Sequence, residues 1–363
     1  MKFRCERDVL LDALSTAGRA VGGRAGTVAL SGLHLELVGD TLRVTGSDLD
    51  LTITQQVVVS GGTDGVVVIP SKLIADIVRA LGPGAVDVTV ESEEVQITAG
   101  RSEFSMRTIP ADDFPKVGAP AAAEVTLEGA ALTEALKQVV KAASSDDARP
   151  ILTGVLLAAE NDGLRLVSTD SYRLAVRDLP GTSVLDGDQS VLVPSRALAE
   201  LTRVLGDSET AALRLGERDA SFEVGSTNVM TRLIEGDFPN YRGLIPESYP
   251  NKLTVNRGEL MDAVRRVRLM AQEATPIRLS MSADGLELVA VTQDVGQAQE
   301  VIDATYEGDE LTVAFNPDYL IDGIEVTTGD EVTLQTVDPL KPAVLRGADS
   351  EDFLYLLMPV RVS

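Results

Sequence analysis

The chain contains one cysteine, Cys5, and one histidine, His34. That pair cannot form a disulfide or complete a Cys/His zinc set, and it could supply a nucleophile and base only if the two residues met in space. His34 alternates with Leu33 and Leu35 in a strand-like run. Its imidazole is therefore expected on the face opposite the leucines, a surface bystander rather than a catalyst. Asp48 with Asp50, or Asp112 with Asp113, could hold Mg²⁺ as paired carboxylates, but acids at strand ends and in turns of so acidic a chain are expected to be solvated. Gly22-Gly-Arg-Ala-Gly26 lacks both the Lys-Ser/Thr ending and the preceding strand of a phosphate loop, and reads as a turn. The expectation is a protein that is not an enzyme and carries no metal and no cofactor.

The elements that would position any site begin with composition. In 363 residues there are 56 Asp and Glu against 32 Lys and Arg, a formal net charge of −24. That balance argues against a chain that coats nucleic acid non-specifically. A hydrophobic fraction of 44% can supply the cores of two or three domains, as the length suggests. The start runs straight into an amphipathic segment without a signal-type apolar core, and no run of eighteen apolar residues occurs. A cytoplasmic protein with no membrane segment is expected, and the unpaired cysteine suits a reducing compartment.

One order of elements recurs three times, at a period of roughly 120 to 125 residues. Each copy opens with a strand and a helix: Lys2 to Cys5 then Asp8 to Ala20, Glu124 to Leu127 then Gly129 to Ala143, and Lys252 to Val255 then Arg257 to Met270. A hairpin follows: Leu33 to Leu37 with Thr41 to Thr45, Val155 to Ala159 with Leu164 to Val167, and Ile277 to Met281 with Leu286 to Val291. A second helix comes next, in Val68 to Gly82, Val191 to Gly206 and, more loosely, Val313 to Ile324; the first two share Pro, Ser, a basic residue and a terminal glycine cap. Closing strands run over Val86 to Ile109, Ala211 to Ile234 and Glu331 to Pro359, and two of the copies are followed by Asp-Phe-Pro. The fold class is therefore α+β: three similar domains, 1–120, 121–247 and 248–363, each with two helices packed on antiparallel sheets. A repeated interface applies one rotation each time, so the array must close, propagate or hang as separate beads.

The basic residues are not scattered. Leu132, Ala135, Leu136, Val139 and Val140 form one stripe, which places Lys137 and Lys141 on the solvent side of the second opening helix. In the third, Leu260, Val264 and Val267 turn Arg265 and Arg266 outward. Lys72 and Arg79, and at matching places Arg196 and Arg203, stand two turns apart on one face of the second helices. If these helices line one surface, an acidic protein acquires a locally positive path that follows phosphates without reading sequence. The third second-helix breaks the pattern, with Asp318, Asp322 and Glu325 outward.

The chain resembles the bacterial sliding clamps, the β subunits of DNA polymerase III. The resemblance covers essentially the whole length and rests on Met1-Lys-Phe, Gly22-Gly-Arg24, Ser105 to Pro115, Ser168-Thr-Asp-Ser-Tyr-Arg-Leu-Ala-Val176, Phe238-Pro-Asn-Tyr241 and Tyr355-Leu-Leu-Met-Pro-Val-Arg361. It implies a non-catalytic subunit of a polymerase holoenzyme: a head-to-tail homodimeric ring with pseudo-six-fold symmetry, helices lining the hole, closed around double-stranded DNA. Arg24 and Arg149 then join Lys137, Lys141, Arg196 and Arg203 as residues facing DNA. It also implies a pocket between the second and third domains for short peptides of the polymerase α subunit, the clamp loader, other polymerases and repair proteins. Carried over by position, that pocket comprises Leu152, Thr169, Ser171, Tyr172, Arg173, Leu174, Pro239, Leu244, Val344, Leu356, Met358, Pro359 and Arg361. Leucine and methionine supply an adaptable apolar wall there. Ser171-Tyr172 stands where the family often has Gly-His, and Gly243 where it often has Arg, departures that bear on peptide preference.

Leu269 falls on the outward side of its helix with Met270 after it, while Phe104 and Met106 share one face of a strand. Exposed apolar residues near opposite ends of the chain suit a heterologous contact between first and third domains, which is where the family closes its ring. A competing reading is an acidic three-domain scaffold that binds proteins only.

Overall fold

The computed structural model describes residues 1–22, 27–116, 118, 120, 122–160, 162–185, 187, 189–272 and 275–361. Six helices occur among them: α1 (Arg7–Gly18), α2 (Ser71–Ala80), α3 (Gly129–Val140), α4 (Ser195–Leu205), α5 (Arg257–Arg268) and α6 (Pro317–Val326). They fall in pairs, one pair per repeat, each opening helix following a strand as the spacing predicts.

Local chemistry explains the boundaries. Asn256 caps α5 by accepting from the Glu259 N–H, and Asn316 caps α6 by accepting from Asp318 and Tyr319, with Pro317 in the first turn. Gly206 closes α4 in a left-handed conformation, φ 47°, as a terminal glycine should. Gly82 does not do the same for α2, because Leu81 has already turned to extended backbone.

Among the described residues every strand pairing is antiparallel, in four sheets of five, eight, nine and four strands. The five-stranded sheet runs 60–63, 2–6, 85–91, 94–99, 102–107; the four-stranded sheet runs 296–302, 285–292, 277–282, 311–315. The two larger sheets cross the repeat boundaries. Strand 51–58 of the first repeat pairs with 227–232 of the second, and strand 173–180 of the second pairs with 353–357 of the third. Leu51 opposite Thr231 in one seam corresponds to Arg173 opposite Leu357 in the other.

Because the larger sheets run across the repeat boundaries, the chain does not hang as separate beads. It forms two compact units, residues 1–130 with 196–233, and residues 131–195 with 234–363, and the middle repeat is shared between them. Strand edges explain the sharing, because an exposed edge carries a row of unpaired N–H and C=O groups that the next repeat can satisfy.

The repeats show in backbone detail too. Leu49, Ser171 and Asp294, at equivalent places before the strands 51–58, 173–180 and 296–302, all have positive φ, 81°, 82° and 64°. Close packing of helix on sheet also constrains residue size. A Cβ on Gly46 would sit 2.1 Å from the Ala17 carbonyl oxygen at the end of α1. One on Gly323 of α6 would sit 2.6 Å from the Tyr355 ring.

Leu33, Leu35 and Leu37 point into the first repeat's core with Leu10, Leu14, Ile74 and Val78. The opposite face of their strand is not bare. His34 packs its ring 5.0 Å from that of Phe114, and Phe114 joins Ala29 and Val68 in a small second cluster, so the Asp-Phe-Pro segment covers a surface the alternation alone left open.

Candidate functional site

The second unit brings together several of the residues expected to form a peptide pocket. Leu174 lies opposite Leu356, and Leu356 opposite Val344, so three residues line up across adjacent strands on one face of the nine-stranded sheet. They cluster with Val167, Val176 and Tyr241, and Leu156, Phe238, Ile245, Tyr249, Leu354 and Met358 pack against them partly buried. Leu174, Val344 and Leu356 are buried and form the floor. What remains open to a ligand is the rim: Met358, Pro359 and Phe238 half-buried, Pro239 exposed and Leu244 45% exposed. Leu152 is buried in the 3₁₀ turn Pro150–Thr153, where its carbonyl accepts from the Ser144 N–H.

The rim at Leu244 is anchored by charge. Leu244 ends a 3₁₀ turn, Arg242–Leu244, whose Arg242 donates twice to Glu160, at 2.8 and 2.7 Å. Glu160 also accepts from Arg165 at 2.6 Å, and Arg165 reaches both oxygens of Asp178 at 2.6 and 2.8 Å. Hydrogen bonding to Asp178 outweighs burial and holds the Arg165 guanidinium above its ordinary range. Arg242 stands beside Gly243, so the turn keeps a cation one residue from the family's usual place.

The loop 169–173 is held by its own side chains. Thr169 Oγ1 donates to the Arg173 carbonyl at 2.6 Å and accepts from the Ser171 N–H, so its hydroxyl closes the turn instead of facing a ligand. Asp170 accepts from the N–H groups of Tyr172 and Arg173. Ser171 occupies the left-handed region, which favours the glycine common in the family; its Oγ accepts from Arg149 at 3.3 Å. Tyr172 is 58% exposed and stacks on Tyr319 of α6 at 6.3 Å.

Arg173 is not on the groove face. Strand alternation sends it to the side opposite Leu174, where it lies 4.5 Å over the Tyr319 ring and donates to Asp170 at 3.0 Å, Asp322 at 2.5 Å and the Tyr355 hydroxyl at 3.0 Å. Burial opposes its charge, but Tyr355, Asp322 and Asp170 outweigh it and raise the pKa further. Arg173 therefore ties the loop to α6. Arg361, at the far end of the terminal segment, is exposed and lines a cavity with Arg278. Sequence reading passed over Val167, Val176, Tyr241 and Ile245 as members of this cluster, although alternation around Leu174 and the Phe238-to-Tyr241 motif both pointed to them.

Most helix cations are exposed, but most are also paired. Lys141 bonds Glu325 and Asp322; Arg196 bonds Asp48; Arg203 bonds Glu200, Arg79 bonds Asp76, Arg149 bonds Asp146 and Arg266 bonds Glu300. Burial pulls the Lys141 pKa down, while Glu325 and Asp322 pull it up more strongly. Lys72, Lys137 and Arg265 are exposed and form no ion pair among the described residues. Arg24 lies outside the described residues. Asp48 caps the turn ahead of strand 51–58, accepting from the Asp50 and Leu51 N–H groups as well as Arg196, so it is committed to structure. Asp112 and Asp113 are exposed in a turn, and among the described residues no cluster of three or more His, Cys, Asp and Glu could hold a metal.

Of the apolar residues expected at a subunit contact, Leu269 is 81% exposed at the end of α5 and Phe104 is 37% exposed. Met270 is half-buried, and Met106 is buried in the first repeat's core, opposite Val95. Phe104 and Met106 do share a strand face, but the core covers that face at Met106 and leaves Phe104 exposed.

Three repeats of one helix-pair unit, with sheets that run across the repeat boundaries, define a three-domain α+β clamp fold. The three family models of the DNA polymerase III beta subunit match in order, the N-terminal domain over residues 1–118, the central domain over 126–240 and the C-terminal domain over 242–361. The chain belongs to that family, the bacterial sliding clamps. It is 34% identical to the beta sliding clamp of Streptomyces coelicolor over the full length of both chains, and 33% identical to that of Synechococcus elongatus, again over all of both. Among solved structures, the sliding clamp of Bartonella birtlesii bound to griselimycin superposes with a TM-score of 0.94 at 30% identity, covering all of both chains. That of Bacillus subtilis gives 0.93 at 28%, with the same coverage. No described helix is long and apolar enough to cross a membrane.

Proposed function

We propose that this clamp closes as a head-to-tail homodimer around duplex DNA and holds polymerase and other DNA-processing proteins through the groove on its second unit. The observation that carries the ring is the pattern of strand edges. In each seam, the strand that follows a positive-φ residue pairs with the last strand of the next repeat. Among the described residues, two strands in those roles have no partner on one side: 296–302 in the third repeat and 102–107 in the first, each at the edge of its sheet. The same pairing between two copies would satisfy both edges twice and place Gly296 opposite Met106 of the partner, Ala298 opposite Phe104.

The helices follow the same rule. Arg19 at the end of α1 donates to Glu200 of α4 at 2.6 Å, and Lys141, just past α3, bonds Asp322 of α6. The equivalent residue after α5 is Leu269, and the equivalent of Glu200 and Asp322 on α2 is Asp76, near Leu73, which is 49% exposed. An apolar contact there would replace the ion pairs of the internal junctions. Domains of about 1–120, 121–247 and 248–363, a cytoplasmic setting and a non-catalytic role all fit this reading.

Each helix cation already paired with an acid contributes little new attraction to phosphates, so the ring would slide on weak contacts while its closure prevents escape. The net charge of −24 makes unassisted binding poor, and a loader is an expected partner. The test is retention on nicked circular DNA after loading, followed by linearisation. Loss on cutting supports encirclement; equal retention on both forms would favour the protein-only scaffold. Substituting Leu269→Lys with Met270→Glu should yield monomers, and sedimentation of an intact dimer would refute the assigned contact.

A further inference from the structure

The terminal segment that carries Met358 and Pro359 past the groove does not end there. The Val360 N–H donates to the Ala314 carbonyl at 2.7 Å, laying the segment along strand 311–315 of the four-stranded sheet. Beside it is a cavity of about 610 Å³ lined by Arg278, Thr312, Ala314, Pro339, Leu340, Val360 and Arg361. Arg278 reaches it because Ile277 and Leu279 face the core and the residue between them must face out. Leu340 is 64% exposed at its lip.

In a chain where acids outnumber bases and most arginines are paired, two arginines converge here without an anionic partner among the described residues. Arg361 is three residue steps along from Met358, with Pro359 and Val360 between them, roughly 10 Å of extended chain. A peptide anchored in the groove can therefore span to the cavity with three or four residues.

We propose that this cavity selects partner peptides that carry aspartate or glutamate about three or four residues from their apolar anchor, with Arg278 and Arg361 as the reading residues and Leu340 and Val360 as an apolar wall. The inference rests on the groove reading. Arg278 is the specificity-determining residue it adds, on a strand that the groove itself does not use. Guanidinium suits the task because its planar fork accepts a carboxylate in two bonds.

The test is selection of twelve-residue peptides from a display library on the intact protein and on Arg278→Glu, with binding of griselimycin as the control for the groove. Peptides from the wild type should share an apolar anchor with acidic residues beside it. On Arg278→Glu the anchor should persist and the acidic bias disappear, and a wild-type-selected peptide should bind about five- to tenfold more weakly. Griselimycin binding should be unchanged. An anchor without acidic bias on the wild type, or a bias that survives Arg278→Glu, overturns the proposal and leaves the groove standing. Selection that yields no apolar anchor, with no griselimycin binding, overturns the groove reading and this inference with it.

Discussion

Replacing Glu160 with alanine separates what the charged network does for stability from what it does for binding. The Glu160 side chain is 16% exposed and accepts from Arg165 and, twice, from Arg242. Its removal does not strand a buried charge, since Arg165 keeps two bonds to Asp178. The loss of about 3–5 kcal/mol typical of an orphaned buried ion therefore does not apply. The Arg165 bond is charge-assisted and partly buried, about 1.5–3 kcal/mol. The Arg242 pair has its arginine 60% exposed, which limits it to about 1 kcal/mol or less. Glu160→Ala should lose about 2–3 kcal/mol in urea unfolding, and Arg242→Ala about 1 kcal/mol or less. Both release the turn that carries Leu244, so both should weaken a labelled polymerase α-subunit peptide by about fivefold in fluorescence anisotropy, the equivalent of about 1 kcal/mol of lost preorganisation. Equal destabilisation by the two substitutions would refute the partition. Unchanged affinity in both would refute the role of the turn.

Burial holds the His34 imidazole below its ordinary pKa of 6.5, so the unfolded chain takes up a proton that the folded chain refuses. The resulting stability is present above about pH 6.5 and declines as pH falls below it; His34→Gln should flatten unfolding free energy between pH 7.5 and 5.5, and an unaltered slope would remove the assignment. Lys137→Ala, which deletes an unpaired cation, should lower the salt dependence of weak duplex binding by nearly one in log–log slope per copy of the chain, whereas Arg196→Ala, whose charge is already bonded to Asp48, should change it less. Gly323→Ala forces a Cβ to within 2.6 Å of Tyr355 and should destabilise the chain by about 1–3 kcal/mol in thermal unfolding, with no loss expected if α6 can shift freely. Leu174→Ala empties a fully buried site in the cluster on the shared sheet and should lose about 2–5 kcal/mol, whereas Leu244→Ala, 45% exposed, should cost little stability and weaken the peptide.

Much of the molecule was written in one dimension. Helical and strand periodicities depend only on neighbours three, four or two residues away, so the three opening helices and their hairpins appear close to their expected bounds. The outward faces of Lys72, Lys137 and Arg265 followed from the same local geometry. Tertiary structure decided what depends on residues far apart in sequence. Strand 173–180 finds its partner some 180 residues on, and no local pattern says that this edge will be shared instead of covered. That pairing aligns Leu174, Leu356 and Val344 into a floor and, by the same alternation, sends Arg173 away from it to hold α6. Likewise, helix spacing alone placed Lys141 and Arg196 outward, but only packing showed that Asp322, Glu325 and Asp48 had already claimed them.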